Sequence, residues 1–489
     1  MYVNIDINSR TVPFYISLLE KEVVTEEDVA SHLDMYTSHN ITDLLFDIFC
    51  QYSATDSEIW DSYKTKYEQK TENGFPVDYT GGGHGALYSL NKKHGIDPYR
   101  VWFKTCRERG MRPWISIRMN DSHVPDADTC FLRSDFFYEA KEKGWMLGEE
   151  YGYAATHFDY AVPKVRKMML DYIEEQMLRY DVDGLELDFM REIYCFDYLH
   201  ADMDECRDIM NEFVRSVRKI LDEAEKKHGH KISLCVRLTR DIDQSRFVGL
   251  DARAWAKEGL VDVIVPSPRW ASSDSRMPMD VWKRELPGVK ILPCIDTVVI
   301  NKYQGNAFAT VEIARGNAGA YLADGAEDIY LFNYFGDPHN DKEYFEKRDV
   351  DIYDTCYSLD VIESLPVRYT IMEQEDRMIP QGFKGDQPLP INLSEKKEKL
   401  EIKTAHIGKG RDVSVVLGFT EGTPDLCEIL LNGEKCSGFT EIEIPEPKKA
   451  VPLGTRCFRC NVTKVDGLKQ VFEFSGKESG IVWVEIEVK

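Results

Sequence analysis

From residue 3 to about residue 335, eight apolar runs of strand length alternate with segments whose apolar residues recur at helical spacing. Such alternation commits a chain to parallel strands, because a parallel neighbour is reached only through a long crossover and a helix is the usual one. The runs lie at 2–8, 42–50, 112–120, 183–190, 231–239, 261–267, 289–297 and 328–335. Eight strands in about 330 residues is the count of a (β/α)8 TIM barrel, here with long insertions after the second and third strands. The expected fold class is therefore α/β, with the barrel over residues 1–367.

The crossovers carry their own signals. Thr25, three residues before Asp28, predicts an N-cap with acids in the first turn. Pro163 opens a segment to 180 in which Val165, Met168, Met169, Tyr172, Ile173, Met177 and Leu178 recur at helical spacing. The stretch 202–228 repeats that pattern and stops near Gly229, and shorter helices are predicted at 97–110, 252–258, 279–286 and 310–324. The run 336–349 reads as a polar loop and 353–365 as the last barrel helix. Beyond about Arg368 the pattern is all strand, at 400–407, 412–419, 428–431, 440–444, 471–474 and 481–488, with a hairpin signal at Asn432-Gly433. Residues 368–489 are thus expected to form an all-β accessory domain, a β-sandwich.

The 489 residues give room for about two to four domains and a sizeable core. A formal net charge of −24 argues against nucleic acid and anionic membranes, since phosphate contacts need Lys and Arg clusters. The first residues lack a basic-then-apolar leader, no run reaches transmembrane length, and the 12 cysteines are scattered, several inside strand-like runs. A cytoplasmic protein with reduced thiols is the expectation. A homo-oligomer is compatible with this reading.

Parity along each strand separates core from site. In Asp183-Gly-Leu-Glu-Leu-Asp-Phe-Met-Arg-Glu192, Glu186 and Asp188 share one face while Leu185, Leu187 and Phe189 take the other. The same rule turns Ser116, Arg118 and Asn120 inward on the third strand, with Asp121 and His123 in the loop that follows. It turns Arg237 inward on the fifth strand and Asp296 on the seventh, and it offers Asp6 and Asp47 on the first two. One such residue alone is more often a structural ion pair or a loop cap. Their convergence on the C-terminal ends of separate strands is what a barrel enzyme presents at its working face.

Carboxylates and guanidiniums, without a thiolate–imidazole pair or a positioned lysine, suit glycosyl transfer to water. Asp188 is the expected nucleophile or general base. Asp296 is the expected acid, with Asp121 as alternate. Glu186, about 6–7 Å deeper along the strand, is expected to orient Asp188 through Arg118 or Arg237. Arg118, Asn120, His123, Arg191, Arg237, Trp270 and Asn333 are expected substrate contacts, and Trp60, Trp145 and Trp270 could offer flat faces to sugar rings.

Four stretches carry a family resemblance: Arg118-Met-Asn-Asp121 with His123, Tyr160-Ala-Val-Pro-Lys-Val-Arg166, the strand ending Asp188-Phe-Met-Arg191, and Gly249-Leu-Asp-Ala-Arg-Ala-Trp255 running into Glu258-Gly-Leu-Val-Asp262. In order and spacing they resemble the glycosyl-hydrolase-like group labelled "family 10-like glycosylhydrolase". The resemblance implies a TIM barrel, carbohydrate hydrolysis and a bacterial polysaccharide-using setting. The strand also resembles that of family 18 chitinases, but Met190 stands where those end in a glutamate, which removes substrate-assisted chemistry. Other retaining barrels place a nucleophilic aspartate at the end of this strand, the precedent for Asp188.

Other signals are weaker. Thr80-Gly-Gly-Gly-His-Gly-Ala86 lacks the Gly-Lys-Ser/Thr ending of a phosphate loop and reads as a loop over the barrel, where His84 could touch substrate. The runs 298–308 and 336–349 lack a glycine-rich phosphate grip, which disfavours a phosphorylated substrate. Cys457-Phe-Arg-Cys460 with Cys427 and Cys436 offers one C-x-x-C only, and no paired-histidine ligand motif occurs, so neither metal nor cofactor is expected. Two alternatives stay open: a barrel lyase, epimerase or metal-dependent isomerase acting on a sugar, and a non-catalytic carbohydrate-binding protein.

Overall fold

The computed structural model describes residues 1–5, 17–18, 21–62, 90–91, 93–121, 133–269, 272–300, 302–334, 342–373, 379–393, 397–465, 467–477 and 479–489. The first strands in chain order are β1 (Tyr2–Ile5), β2 (Asp43–Phe49), β3 (Arg112–Arg118), β4 (Gly184–Asp188), β5 (Ser233–Thr239), β6 (Val263–Ser267), β7 (Lys290–Ile291) and β8 (Cys294–Asp296). A short antiparallel ribbon follows, β9 (Val298–Ile300) with β10 (Ala307–Phe308), and then β11 (Tyr330–Phe332). Apart from the ribbon these strands make one curled, parallel nine-stranded sheet in the order β7-β6-β5-β4-β3-β2-β1-β11-β8.

The run predicted as a single seventh strand is divided between β7 and β8. Pro293 lies in the gap, and a proline has no N–H for a ladder. The segment pairs on both sides nonetheless: β7 bonds to β6, β8 bonds to β11, Leu292 N–H donates to Ile264 O at 2.9 Å, and Tyr330 N–H donates to Pro293 O at 3.1 Å. The two ends of the strand order are therefore consecutive pieces of chain.

Strand parity sorts the side chains as expected. Leu45, Trp114, Cys235, Val265, Cys294 and Tyr330 form a separate buried cluster on the inner face, whereas Ile115, Ile117, Leu185, Leu187, Leu234 and Val236 join the large core under the helices. The register is what matters for the site: Ser116, Glu186 and Cys235 lie abreast, and one layer later Arg118, Asp188 and Arg237 lie abreast. Gly184 opens β4 because a Cβ there would sit 1.9 Å from the Trp114 ring. A bulkier residue would displace the indole that fills the inner face.

The helices start and stop where the caps say. Thr25 and Asp28 form a reciprocal capping box, Asp202 caps the helix Met203–His228, and Gly229 ends it with φ 82°. One expectation is corrected: the helix predicted at 353–365 is the earlier Lys342–Thr355 followed by Leu359–Ile362. The polar look of 342–349 misled because Arg348 and Asp349 are themselves buried, paired at 2.6 Å, on the face shared with Ile352 and Tyr353.

Residues 367–488 supply β12 (Val367–Met372), β13 (Ile391–Leu393), β14 (Glu398–Lys403), β15 (Val413–Glu421), β16 (Cys427–Leu431), β17 (Glu434–Lys435), β18 (Thr440–Ile442), β19 (Arg456–Val462), β20 (Lys469–Gly476) and β21 (Ser479–Val488). They form two antiparallel sheets, β12-β21-β15-β19-β18 with β13 on β21, and β14-β20-β16-β17. Asn432 and Gly433, both with positive φ, turn the β16–β17 hairpin. Cys457 and Cys460, three residues apart on β19, fall on opposite faces of the strand. The strands β12, β13, β17 and β19 were not anticipated: two are very short, and β19 is interrupted by charged residues. These sheets are fastened to the first part of the chain. Gly316, in the helix Val311–Ala323, would put a Cβ 2.1 Å from Arg368 O, so only glycine permits that approach. Lys403 Nζ reaches Asp324 at 2.5 Å and Met277 O at 3.1 Å. Among the described residues no helix is long and apolar enough to cross a membrane.

Candidate active site

At the C-terminal edge of the curled sheet, where ligands of parallel α/β sheets bind, the chain buries an unusual density of charge. Asp188 ends β4 and is 1% exposed. Arg237, its neighbour on β5, donates from Nε and Nη2 to the two carboxylate oxygens, both at 2.9 Å. The backbone N–H groups of Met190 and Arg191 add bonds of 2.9 and 3.0 Å to Oδ1. Arg237 is held in turn by Ser267 Oγ at 2.8 Å and by the Phe332 ring, 3.7 Å from its guanidinium carbon. Burial works against the Arg237 charge, but Asp188 outweighs it and the guanidinium is held above its ordinary range. A bidentate fork on a carboxylate fixes orientation as well as charge.

Glu186 sits one layer deeper, fully buried. Its Oε1 accepts from Ser116 Oγ at 2.7 Å and from Tyr330 OH at 3.0 Å, with the Cys235 thiol near Oε2 at 3.9 Å. Burial, reinforced by the Asp188 charge, raises its pKa. This corrects the expected arrangement, in which Glu186 would orient Asp188 through an arginine: its side-chain partners are neutral hydroxyls.

Asp296 ends β8 and is 2% exposed. Among the described residues its side chain accepts one bond, 3.0 Å from Val298 N–H, and its backbone N–H donates to Ser272 Oγ at 2.6 Å. Burial pushes its pKa up to about 6, against the pull of that N–H and of Arg237, Arg191 and Arg269. Strand register places Asp296 beside Phe332, the ring on which Arg237 rests, and so at the same edge as Asp188.

A second charged network lies beside this pair. Arg118 bridges Asp47 at 2.7 Å and Asp121 at 3.0 Å, and Arg191 approaches Asp121 at 3.6 Å. It is thus Arg237, and not Arg118, that grips Asp188. Arg269 pairs with Glu192 at 2.8 Å, and His157 Nε2 stands 3.7 Å from the same carboxylate oxygen. Burial drives the His157 pKa down, against the pull of the Glu192 charge. Arg269, Glu192 and His157 were not singled out from sequence. The available signal was parity: Arg269 follows β6 two residues after the inward Ser267, and Glu192 continues the even-numbered series of Glu186 and Asp188.

The other expected contacts divide. Asn120 spends its amide on loop backbone, donating to Phe158 O at 3.0 Å and Tyr194 O at 2.9 Å and accepting from Phe158 N–H at 2.8 Å, which makes it a brace between loops. Asn333 follows β11 in the left-handed region, φ 62°, a strained conformation that asparagine tolerates better than most residues. Trp60 is corrected: it is 4% exposed, wedged against Phe49 and Phe136 with its N–H on Gln51 O, so it offers no face to a sugar. Trp145 packs beside Phe136. Asp6, His84, His123 and Trp270 lie outside the described residues. Among the described residues no cluster of three His, Cys, Asp or Glu side chains is placed to hold a metal ion.

No family model matches the chain, and no curated protein matches it. Solved structures of glycoside hydrolases do. Alpha-L-fucosidase isoenzyme 2 from Paenibacillus thiaminolyticus matches 72% of this chain and 48% of its own at 14% identity and TM-score 0.44. The PgaB (BpsB) glycoside hydrolase domain from Bordetella bronchiseptica matches 73% and 98% at 11% identity and TM-score 0.42. A GH138 enzyme targeting pectin rhamnogalacturonan II matches 74% and 39% at 10% identity and TM-score 0.41. The chain spans about half the length of the fucosidase. At such scores a functional assignment has to come from the side chains.

Proposed function

We propose that this chain is a glycoside hydrolase acting on a carbohydrate substrate. Its nine-stranded sheet is read as a closed (β/α)8 barrel over residues 1–367, with 290–296 as one interrupted barrel strand, and residues 368–489 as a β-sandwich accessory domain. The observation that carries the activity is the unlike treatment of two equally buried carboxyls at one sheet edge. Asp188 has four donors and a cation, the setting of a nucleophile or general base. Among the described residues Asp296 has one donor, and its pKa is raised to about 6, the setting of a general acid. Carboxyls with environments pushed apart in this way are what hydrolysis of a glycosidic bond requires: one protonates the departing oxygen while the other supplies the electron pair at the anomeric carbon or activates water. Arg237 positions Asp188, and Glu186 with Ser116 and Tyr330 supports the layer below.

The test is Asp188→Asn, assayed against 4-nitrophenyl glycosides and oligosaccharides with folding checked by circular dichroism. Turnover on the substrate of the unmutated protein is expected to fall at least about a hundredfold. Near-normal turnover would remove Asp188 from the chemistry.

A further inference from the structure

The segment 379–386, part of the connection between β12 and β13, reaches back to the C-terminal edge of the barrel as a strap. Gln381 N–H donates to Tyr198 OH at 3.2 Å, Phe383 packs on Phe247 with ring centroids 5.5 Å apart, and Asp386 pairs with Arg276 at 3.2 Å. Between strap and barrel is a cavity of about 210 Å³, bounded by Met190, Ser267 and Arg269 on one side and by Ile379, Gly385 and Asp386 on the other. Ser267 is the residue that accepts from Arg237, so the cavity shares a wall with the Asp188 site.

We infer that this cavity binds a second, neutral sugar ring of the same substrate, which makes the substrate an oligosaccharide and the strap a determinant of specificity. The inference rests on the glycosidase reading. Three features carry it. The volume equals roughly seven waters at about 30 Å³ each, room for one ring and too little for a folded partner. The lining alternates hydrogen-bonding groups such as Thr239 and Gln244 with apolar faces such as Met190 and Ile379, matching the hydroxyl edge and C–H face of a pyranose. Its arginines are already neutralised: Arg240 and Arg276 share Asp274 at 2.6 and 2.8 Å, Arg276 also pairs with Asp386 at 3.2 Å, and Arg269 holds Glu192. Phosphate or uronate would find little uncompensated positive charge there, whereas hydroxyls find anchored donors and acceptors.

The experiment compares α- and β-linked 4-nitrophenyl monosaccharides with tri- and tetrasaccharides of the same sugars. The ratio of kcat/KM for oligosaccharide to that for the nitrophenyl glycoside is expected to be at least tenfold. Ile379→Trp, which fills the cavity, is expected to lower that ratio at least tenfold, mainly through KM. Asp386→Ala, at a side chain 67% exposed, is expected to lower it about threefold without risk to the core. A ratio near one, or a ratio indifferent to both variants, overturns the subsite and leaves the glycosidase reading standing. Absence of hydrolysis on every compound overturns the glycosidase reading instead. Calorimetry with the same oligosaccharides then decides the cavity: binding that Ile379→Trp abolishes supports it, and no binding by the unmutated protein refutes it.

Discussion

The two sides of the sheet edge handle the same problem in opposite ways. Asp188, on the β4–β5 side, and Asp296, on the β8 side, are 1% and 2% exposed, so water helps neither. At Asp188 burial is met by a guanidinium fork and two backbone N–H groups. At Asp296 it is met by one N–H, and the carboxyl rises to about 6. Burial penalises a charged carboxyl, while donors and neighbouring charges oppose or reinforce that penalty, and the two sides differ in how many donors they supply. That inequality is built by strand register, which puts Arg237 abreast of Asp188 and no arginine abreast of Asp296, whose parallel partner on β11 is Phe332.

The comparison is broken most severely by removing the fork. Arg237→Met keeps the volume of the side chain but leaves Asp188 a buried carboxylate with backbone donors alone, a loss expected to cost about 3–5 kcal/mol. Urea unfolding at pH 7 reads it directly. A cost below about 1 kcal/mol would mean that the two N–H groups suffice and that the two sides differ less than their geometry suggests.

Next in size is the acid side. Asp296→Asn is expected to lower kcat about a hundredfold on substrates with a basic leaving oxygen, and less on nitrophenyl glycosides, whose leaving group needs no proton. The pH profile sharpens this. Asp296 donates only when protonated, and its protonated fraction declines as pH rises through about 6, so kcat/KM of the unmutated protein is expected to fall on the alkaline side of that value. The variant should lack that limb. A limb that survives in Asp296→Asn would assign the acid to another group.

Much of this was legible before any coordinates. Alternation and parity located the parallel strands and turned Glu186, Asp188, Arg237 and Asp296 inward, because the period of two is a property of the backbone. What stayed hidden was pairing. Parity says that Arg118 and Arg237 both flank Asp188, but only side-chain reach shows that Arg118 turns to Asp47 and Asp121. Trp60 and the helix at 342–355 escape sequence reasoning for one reason: chemical type is a poor guide to exposure, since the tryptophan is core and the Arg348–Asp349 pair is buried. The strap was beyond reach of any local pattern, since its position depends on how the C-terminal sheets dock.

Glu186 supplies a third case and the smallest effect. It is as buried as the two aspartates, with two hydroxyl donors, the Cys235 thiol and, among the described residues, no cation paired with its carboxyl. Its folded pKa lies above the ordinary carboxylate value. The folded state therefore favours the protonated form, and the benefit is complete below the ordinary value and is lost as pH rises through the folded one. Glu186→Gln keeps a neutral side chain of the same shape at every pH. Relative to the unmutated protein, it is expected to gain on the order of 1–2 kcal/mol between pH 5 and pH 8, read as the difference between urea unfolding curves at the two values. Parallel pH dependence in both proteins would show that Ser116 and Tyr330 already compensate a full charge. In that case hydroxyls would serve as well as a guanidinium, and the contrast between Asp188 and Asp296 would reduce to the number of donors rather than their charge.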